Sequence, residues 1–440
     1  MFKYYLQLAV HSLKRYPVLT GLMVLAIAVG IGASMTTLTV MHLLSGNPMP
    51  GKSGKLFYAQ VDADTDNSYP HKDPLDMLDY RSAMDLWSAH KADRQTLIID
   101  SSVKVVAPDS QLPPLMRTML STTSDFFPMF DVPFQYGQAW TAEQGQRHAR
   151  VAVISAALNR KLFGGANSVG RTLRIRGADV RIVGVLAQWR PSPVFYKVVG
   201  GRFGAATNGR FYGDTEDVMM PVGTGIDLND GHFEPFTCWD LPEHAGHLTH
   251  AGCAWVGLWV QLDSPAKVTA YHEFLTHYAQ QQKQLGRFTH TDVRLRDLMQ
   301  WLTFNQVVPP DVKLQTSLAF AFLLICLFNT VGLLLAKFLR RSGEIGLRRA
   351  LGATRASVFA QCLVEAGLVG VLGGIGGWVL TLVGLWAVRQ QPVAYANLAH
   401  MDLSMFALTF LLSVLVAVLA GALPAARASR TAPALHLKTL

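Results

Sequence analysis

The chain has 440 residues, 50% of them hydrophobic and 16% charged, with a formal net charge of +9 and a mean hydropathy of +0.23. It is long enough for two structural units, and its balance suits a protein shared between lipid and water. The positive charge excludes a nucleic-acid reading by its location: residues 46–313 hold 26 Lys or Arg against 27 Asp or Glu, whereas the flanks hold 13 against 3, so the excess sits beside apolar runs, where it sets membrane topology and meets anionic lipid.

Residues 1–16 predict an amphipathic helix on the cytoplasmic membrane face, with Phe2, Tyr5, Leu6, Ala9 and Leu13 at helical spacing and Lys3, Lys14 and Arg15 beside them. Pro17 suits the first position of the next helix. Residues 17–45 are long and uncharged enough to span a bilayer, and no small-x-small cleavage site follows, so a retained anchor is expected rather than a cleaved signal peptide. Residues 46–313 form a large polar insertion with mixed patterning. Val151–Ile154 reads as a strand and Ser155 as the cap of a helix that Gly164-Gly165 ends. Arg171–Ile175 and Val180–Leu186 read as strands around a Gly177 turn, and Val218–Pro221 and Val256–Leu262 as further strands. Ser264-Pro265 opens a helix. The insertion is expected to be an α+β domain with a loop-rich stretch over 191–217.

Apolar runs return at 314–338, 357–388 and 403–426, giving three more spans. Between the first two lies a basic segment, 339–356, which the positive-inside rule places in the cytoplasm. Its core, Ser342 to Arg355, has helix-compatible composition, with Ser342 as a possible cap and Glu344 in the first turn. Residues 389–402 form a short outer loop and 427–440 a cytoplasmic tail. The third span carries Gly370/Gly374 and Gly373/Gly377, two small-xxx-small pairs, which serve either packing within the subunit or a dimer interface. Glu365 is an acid inside that apolar run and is expected to pair with a loop arginine near the membrane surface.

Three features invite chemistry. Gly165 to Thr172 nearly spells a phosphate-binding loop, but Arg171 stands where Lys is needed, and the stretch follows a helix and leads into a strand, the reverse of that motif. Cys238 and Cys253 in the outer domain are candidates for a disulfide, for free thiols or, with His244, His247 and His250 between them, for a metal site whose spacing fits no standard zinc pattern. No catalytic cluster can be located, and neither a catalytic nor a metal site is expected.

The order Glu344-Ile345-Gly346-Leu347-Arg348-Arg349-Ala350-Leu351-Gly352-Ala353-Thr354-Arg355 resembles the loop between the second and third membrane helices of the FtsX/MacB superfamily of ABC-transporter permeases; many relatives carry an acid where this chain has Arg340. Ser124-Asp125-Phe126-Phe127-Pro128, Val151 to Ser155, Leu162 to Gly165, Val169 to Leu173 and Ile182 to Val185 resemble the MacB-type periplasmic domain, and Pro424 to Pro433 the family's carboxy-terminal signature. The likeness is weakest over 191–265. It implies an integral membrane protein of the bacterial inner membrane, with four transmembrane helices and a large α+β periplasmic domain inserted between the first and second. It implies that Glu344, Ile345, Gly346, Leu347, Arg348, Arg349, Leu351, Gly352 and Arg355 contact a separate ABC ATPase, which binds ATP and Mg. This chain itself is expected to hold no cofactor and to be a transporter subunit rather than an enzyme. A second permease copy or homologue, a periplasmic adaptor and an outer-membrane channel are the further partners implied. Efflux driven by motion of the outer domain is the leading function. Lipoprotein release and FtsX-like regulation of periplasmic enzymes are the alternatives.

Overall fold

The computed structural model describes residues 2–66, 73–107, 113–203, 211–240, 242–391, 395–396, 399–400 and 403–429. The expected tail beyond residue 429 and parts of the expected outer loop 389–402 lie outside these residues. In chain order, α1 (Phe2–Arg15) precedes α2 (Pro17–Ser45), which Pro17 opens. There follow β1 (Leu56–Val61), β2 (Leu78–Asp79), α3 (Tyr80–Ser88), β3 (Arg94–Val106), β4 (Leu115–Thr122), α4 (Phe126–Met129), β5 (Phe134–Gly137), α5 (Ala142–Gln146), β6 (Val151–Ile154), α6 (Ala156–Phe163), β7 (Thr172–Ile175), β8 (Ala178–Leu186), β9 (Val218–Pro221), α7 (Val222–Asn229), β10 (Thr237–Cys238), β11 (Cys253–Gln261), α8 (Pro265–Gln284), β12 (Val293–Asp297) and α9 (Leu298–Phe304). The chain closes with α10 (Pro310–Arg340), α11 (Ser342–Ala350), α12 (Arg355–Arg389) and α13 (Leu403–Ser429). Two units result: residues 1–45 with 308–440, and residues 46–307.

In the inserted unit, twelve described strands form one sheet whose main path runs β12-β1-β11-β3-β4-β9-β6-β8-β5. β11 is buried at all nine positions. It pairs antiparallel with β1 and β3 along its second half and takes β2 and β10 at its start. Parallel pairing occurs at β4–β9 and β6–β8, and such pairs need crossover connections, which here include helices. Local chemistry sets the ends: Asp79 accepts from Ser82 N at the start of α3, Ser155 caps α6, and Ser264 caps α8. Arg176 and Gly177, both at positive φ, make the two-residue turn between β7 and β8. The core has two parts. One lies under α3 and α8 around Leu97, Trp255 and Leu275; the other lies under α6 around Val103, Ile154 and Ile182. A disulfide joins Cys238 to Cys253 across the β10–β11 pair.

In the other unit, α2, α10, α12 and α13 are each long and apolar enough to cross a membrane. α12 is the central element, packed on α2 and α13 and touched by α1. Its glycines explain this. A Cβ at Gly373 or Gly377 would fall 2.6 Å or 2.8 Å from the Cγ2 of Ile27 or Ile31 on α2, and one at Gly374 would fall 2.3 Å from Ser413 Oγ on α13. Both small-xxx-small pairs are thus filled by the chain's own helices, one pair facing each neighbour.

At Gly370 a Cβ would lie 2.5 Å from Ala417 Cβ. Gly370→Ala should destabilise the helix layer by about 1–3 kcal/mol through overpacking. Gly332→Ala on α10, with nothing within 4 Å, should unfold at or above the wild-type temperature because alanine favours helix. Thermal unfolding of detergent-solubilised protein checks this; equal midpoints for the two variants would contradict the packing.

Candidate functional site

A carboxylate inside an apolar helix layer costs several kcal/mol unless it is paired and hydrogen-bonded. Glu365 on α12 has a side chain 1% exposed, and Lys337 on α10 one that is 0% exposed. Lys337 Nζ stands 2.6 Å from Glu365 Oε1, and Arg341 Nη1 stands 3.1 Å from Oε2. Ser12 of α1 donates its hydroxyl to Glu365 Oε1 at 2.5 Å and accepts from Arg341 Nη1 at 2.6 Å. One carboxylate therefore joins α1, α10, α12 and the residue that precedes α11.

Arg341 carries the network onto α11. Its Nη2 and Nε reach the two oxygens of Glu344 at 3.1 Å and 3.3 Å. Arg348 Nη2 donates to Glu344 Oε1 at 2.8 Å, while its Nη1 donates to Gln361 Oε1 of α12 at 3.0 Å. Arg349 Nη1 donates to the Ser429 carbonyl at the end of α13, 3.3 Å away. Burial raises the Glu344 carboxyl pKa, but the Arg341 hydrogen bond and the charges of Arg341, Arg348 and Arg15 more than offset that, so it lies below its ordinary value of 4.5. A lowered acid contributes stability that is complete above the ordinary value and is lost as pH falls through the folded one; α11 should stay docked throughout the neutral range.

Ile345 and Gly346 are buried on the inner face of α11, whereas Leu347 is 58% exposed. The structure corrects the extent of this helix. Ser342 is its first residue rather than a cap, Arg341 stands at the cap position with no side-chain bond to the helix backbone, and the helix stops at Ala350. Leu351, 81% exposed, follows it, and Gly352 turns the chain at φ 100°. Thr354 then caps α12 by accepting from Ser357 N, so Arg355 is the first residue of α12, exposed, and does not share a face with Arg348. Glycine permits the left-handed conformation that breaks the run. Among the residues singled out by sequence, Glu344, Ile345, Gly346, Leu347, Arg348 and Arg349 are brought together on α11. Ser12 and Lys337 escaped notice: Ser12 lies over three hundred positions from its partner, and Lys337 looks like an ordinary flanking charge. The four-residue spacings Lys337–Arg341 and Glu344–Arg348 are the signal that was there to be used.

In the inserted unit a cavity of about 610 Å³ is lined by Asp100, Lys197, Arg202, Phe203, Glu234 and Phe236 among others. Lys197 pairs with fully buried Glu216 and lies 3.9 Å from Asp100. Tyr196 donates its hydroxyl to Glu216 at 2.5 Å. Burial, with the Glu216 charge, pushes the Asp100 carboxyl up to about 7. The near-miss phosphate loop is structural: Asn159 donates to the Ala166 carbonyl and accepts from Ser168, and Arg171 lies over the Phe163 ring. His247 pairs with Asp230 at 2.5 Å. Among the described residues no three His, Cys, Asp or Glu side chains gather in a ligating group.

Four apolar helices, a basic helix pinned beneath them and an α+β insertion define a multi-spanning membrane protein. The MacB-like periplasmic core domain matches residues 20–277, and the FtsX-like permease C-terminal domain matches residues 316–433. The chain belongs to the FtsX/MacB family of ABC-transporter permeases and carries a MacB-type core domain. It is 25% identical over 305 residues to the macrolide export ATP-binding/permease protein MacB of Bdellovibrio bacteriovorus, covering 68% of this chain and 40% of that protein. To the protein of the same name from Pasteurella multocida it is 23% identical over 444 residues, covering 98% and 59%. The chain thus spans about half the length of these relatives. The crystal structure of the periplasmic region of MacB from Actinobacillus actinomycetemcomitans aligns with a TM-score of 0.37 at 12% identity, over 60% of this chain and 98% of that one.

Glu365→Gln should leave Lys337 and Arg341 facing a neutral amide and cost about 3–5 kcal/mol. Adding Lys337→Met should recover part of the loss, since the buried charge goes with its partner. Chemical unfolding in detergent measures both; a double variant no more stable than the single would show that the two side chains are not coupled.

Proposed function

We propose that this chain is the membrane subunit of a MacB-type exporter, coupled through α11 to an ABC ATPase that binds ATP and Mg. The observation that carries this reading is the asymmetry of α11. Its inner face is bound by Glu344, Arg348 and Arg349 to the membrane helices, while Leu347 and the following Leu351 stand open to a partner. Apolar side chains on a short, charge-fixed helix suit insertion into a groove.

In this reading two permeases and two ATPases form the working unit in the bacterial inner membrane. α11 faces the cytoplasm and residues 46–307 lie in the periplasm, in keeping with the basic flanks of the apolar helices. Closure of the ATPases displaces α11. Because Arg341 and Glu365 hold α11 to α10 and α12, displacement passes into the spans. α2 and α10 are the helices from which the inserted unit leaves and to which it returns, so their movement pulls on that unit and drives substrate already in the periplasm outward, through an adaptor and an outer-membrane channel. The names of the relatives, which join ATP binding, a permease and macrolide export in one protein, support transport over the other activities that the family resemblance implies.

Topology is tested by labelling single cysteines in intact cells with an impermeant thiol reagent. Lys91→Cys, on an exposed loop of the inserted unit, should react from outside, and Ser342→Cys should react only after the inner membrane is opened. The opposite pattern would refute the orientation.

For coupling, Leu347→Asp should weaken co-purification of the ATPase by at least about tenfold, because a charge pressed into an apolar contact costs a kcal/mol or more. The variant should insert normally and keep the wild-type melting temperature, as Leu347 is exposed in the isolated chain. Wild-type levels of bound ATPase and of transport-linked ATP hydrolysis would defeat the docking claim.

A further inference from the structure

The 610 Å³ cavity of the inserted unit opens between β3, residues 197–203 and residues 234–237. Its volume is that of a small-molecule site. Its charges do not balance. Arg202 is bonded to Asp76, and Lys197 to the buried Glu216, which leaves Asp100 and Glu234 uncompensated. The two are neighbours, since the Glu234 backbone N–H donates to the Asp100 carbonyl at 3.1 Å and Phe233 forms a β-bridge with Ser101. Asp100 Oδ1 accepts from the Ser101 N–H at 2.9 Å. Its Oδ2 lies 3.9 Å from Lys197 Nζ, beyond hydrogen-bond range. The Asp100 side chain is 26% exposed and lines the cavity, so a ligand there can reach it. Glu234 is exposed, and its carboxylate has no partner among the described residues.

A concave site with surplus negative charge attracts cations and repels anions. The rest of its wall suits an organic cation. Phe236 is 47% exposed and Phe203 77%, and both line the cavity. One face of Phe203 is taken by the Arg202 guanidinium, 4.2 Å from the ring centre, whereas Phe236 has no ring or cation partner among the described residues and offers its face to an ammonium group. A bare metal ion is not served, because no three ligating side chains gather among the described residues. We propose that this cavity binds an organic ammonium ion with an aromatic or apolar body, its charge on Asp100, with Glu234 adding to the field, and its body against Phe236 and Phe203. The site lies wholly within the inserted unit and does not involve α11, so its failure leaves the transport reading untouched, and the reverse.

The charges around Asp100 give this binding a pH signature. Burial and the Glu216 charge, with a smaller push from Glu234, outweigh the pull of Lys197 and the Ser101 N–H and raise the Asp100 carboxyl to about 7. An ammonium ion binds the ionised form, which makes up about a tenth of the protein at pH 6 and about nine tenths at pH 8, so affinity should tighten about tenfold over that interval.

The test uses the full chain in a non-ionic detergent and three probes of similar shape: phenethylammonium, 2-phenylethanol and 3-phenylpropanoate. Binding is followed by ligand-detected NMR, with affinity for so small a ligand expected in about the millimolar range. At pH 8 the alcohol should bind at least about fivefold more weakly than the ammonium ion, and the propanoate more weakly still. Asp100→Asn removes the charge at nearly constant shape; it should weaken ammonium binding at least about fivefold and flatten the pH profile. Phe236→Ala should weaken it about threefold and retain the wild-type melting temperature, since the ring is exposed, so the test stands even where Asp100→Asn loosens the domain. No ammonium binding by the wild type at pH 8, equal affinity for the alcohol or the propanoate, an affinity that does not change between pH 6 and pH 8, or undiminished binding in either variant would each overturn the proposal.

Discussion

The membrane unit depends on one buried carboxylate. Glu365 has almost no contact with solvent, and its three partners come from two distant stretches of chain: Ser12 on α1, and Lys337 and Arg341 at the end of α10. Ion pairs so deeply buried rarely add net stability compared with apolar packing. What this one supplies is register. The small residues along α12 allow close approach to α2 and α13 without naming a single depth for each helix, since van der Waals contact between smooth surfaces tolerates sliding. A carboxylate that must meet two cations and a hydroxyl does not tolerate it. Apolar packing therefore brings the helices together, and the charges decide where along their length they stop.

The same network explains why a nine-residue helix as polar as α11 holds its shape. Isolated helices of that length are marginal in water. α11 buries only Ile345 and Gly346, yet Glu344, Arg348 and Arg349 fasten it to α12 and α13. Of these three, Arg348 reaches α12 and Arg349 reaches α13, while Glu344 is tied through Arg341 to Glu365 of α12; the conformation of α11 is borrowed from the spans above it. Rigidity at such a surface reduces the ordering cost of association.

Much of this was legible in the sequence, and the parts that were not share a cause. The four apolar helices can be read because bilayer thickness imposes length and composition together, and the β7–β8 turn because Gly177 needs positive φ. β3 and β4, the longest antiparallel pair, left little trace: β3 buries Thr96 and Ser101 beside its aliphatic residues, and hydroxyls that bond within the sheet look like loop residues in a sequence. The glycine pairs of α12 signalled close packing but not against what, because a missing side chain carries no information about its neighbour. The boundary at Gly352 was missed because the basic residues on either side read as one continuous helix. Lys337 could not be assigned to Glu365 because a buried pair and a flanking surface charge are composed of the same residues.

One feature of the sheet bears on how the protein is made. β1 is the first strand of the inserted unit to leave the ribosome, yet it lies between β11 and β12, with Tyr58 opposite Trp259. Its partners come about 200 residues later, a delay of roughly 10–40 s at ordinary rates of synthesis. Through that interval a six-residue segment that ends wholly buried, Leu56–Val61, has both edges open, the condition in which strands pair with the wrong chain. α10 follows within a few residues of α9, so the sheet closes only as the second span becomes available for insertion. Folding of the domain and assembly of the helix layer therefore fall in the same short window at the end of synthesis, and a holding factor that covers β1 until β11 arrives would protect both.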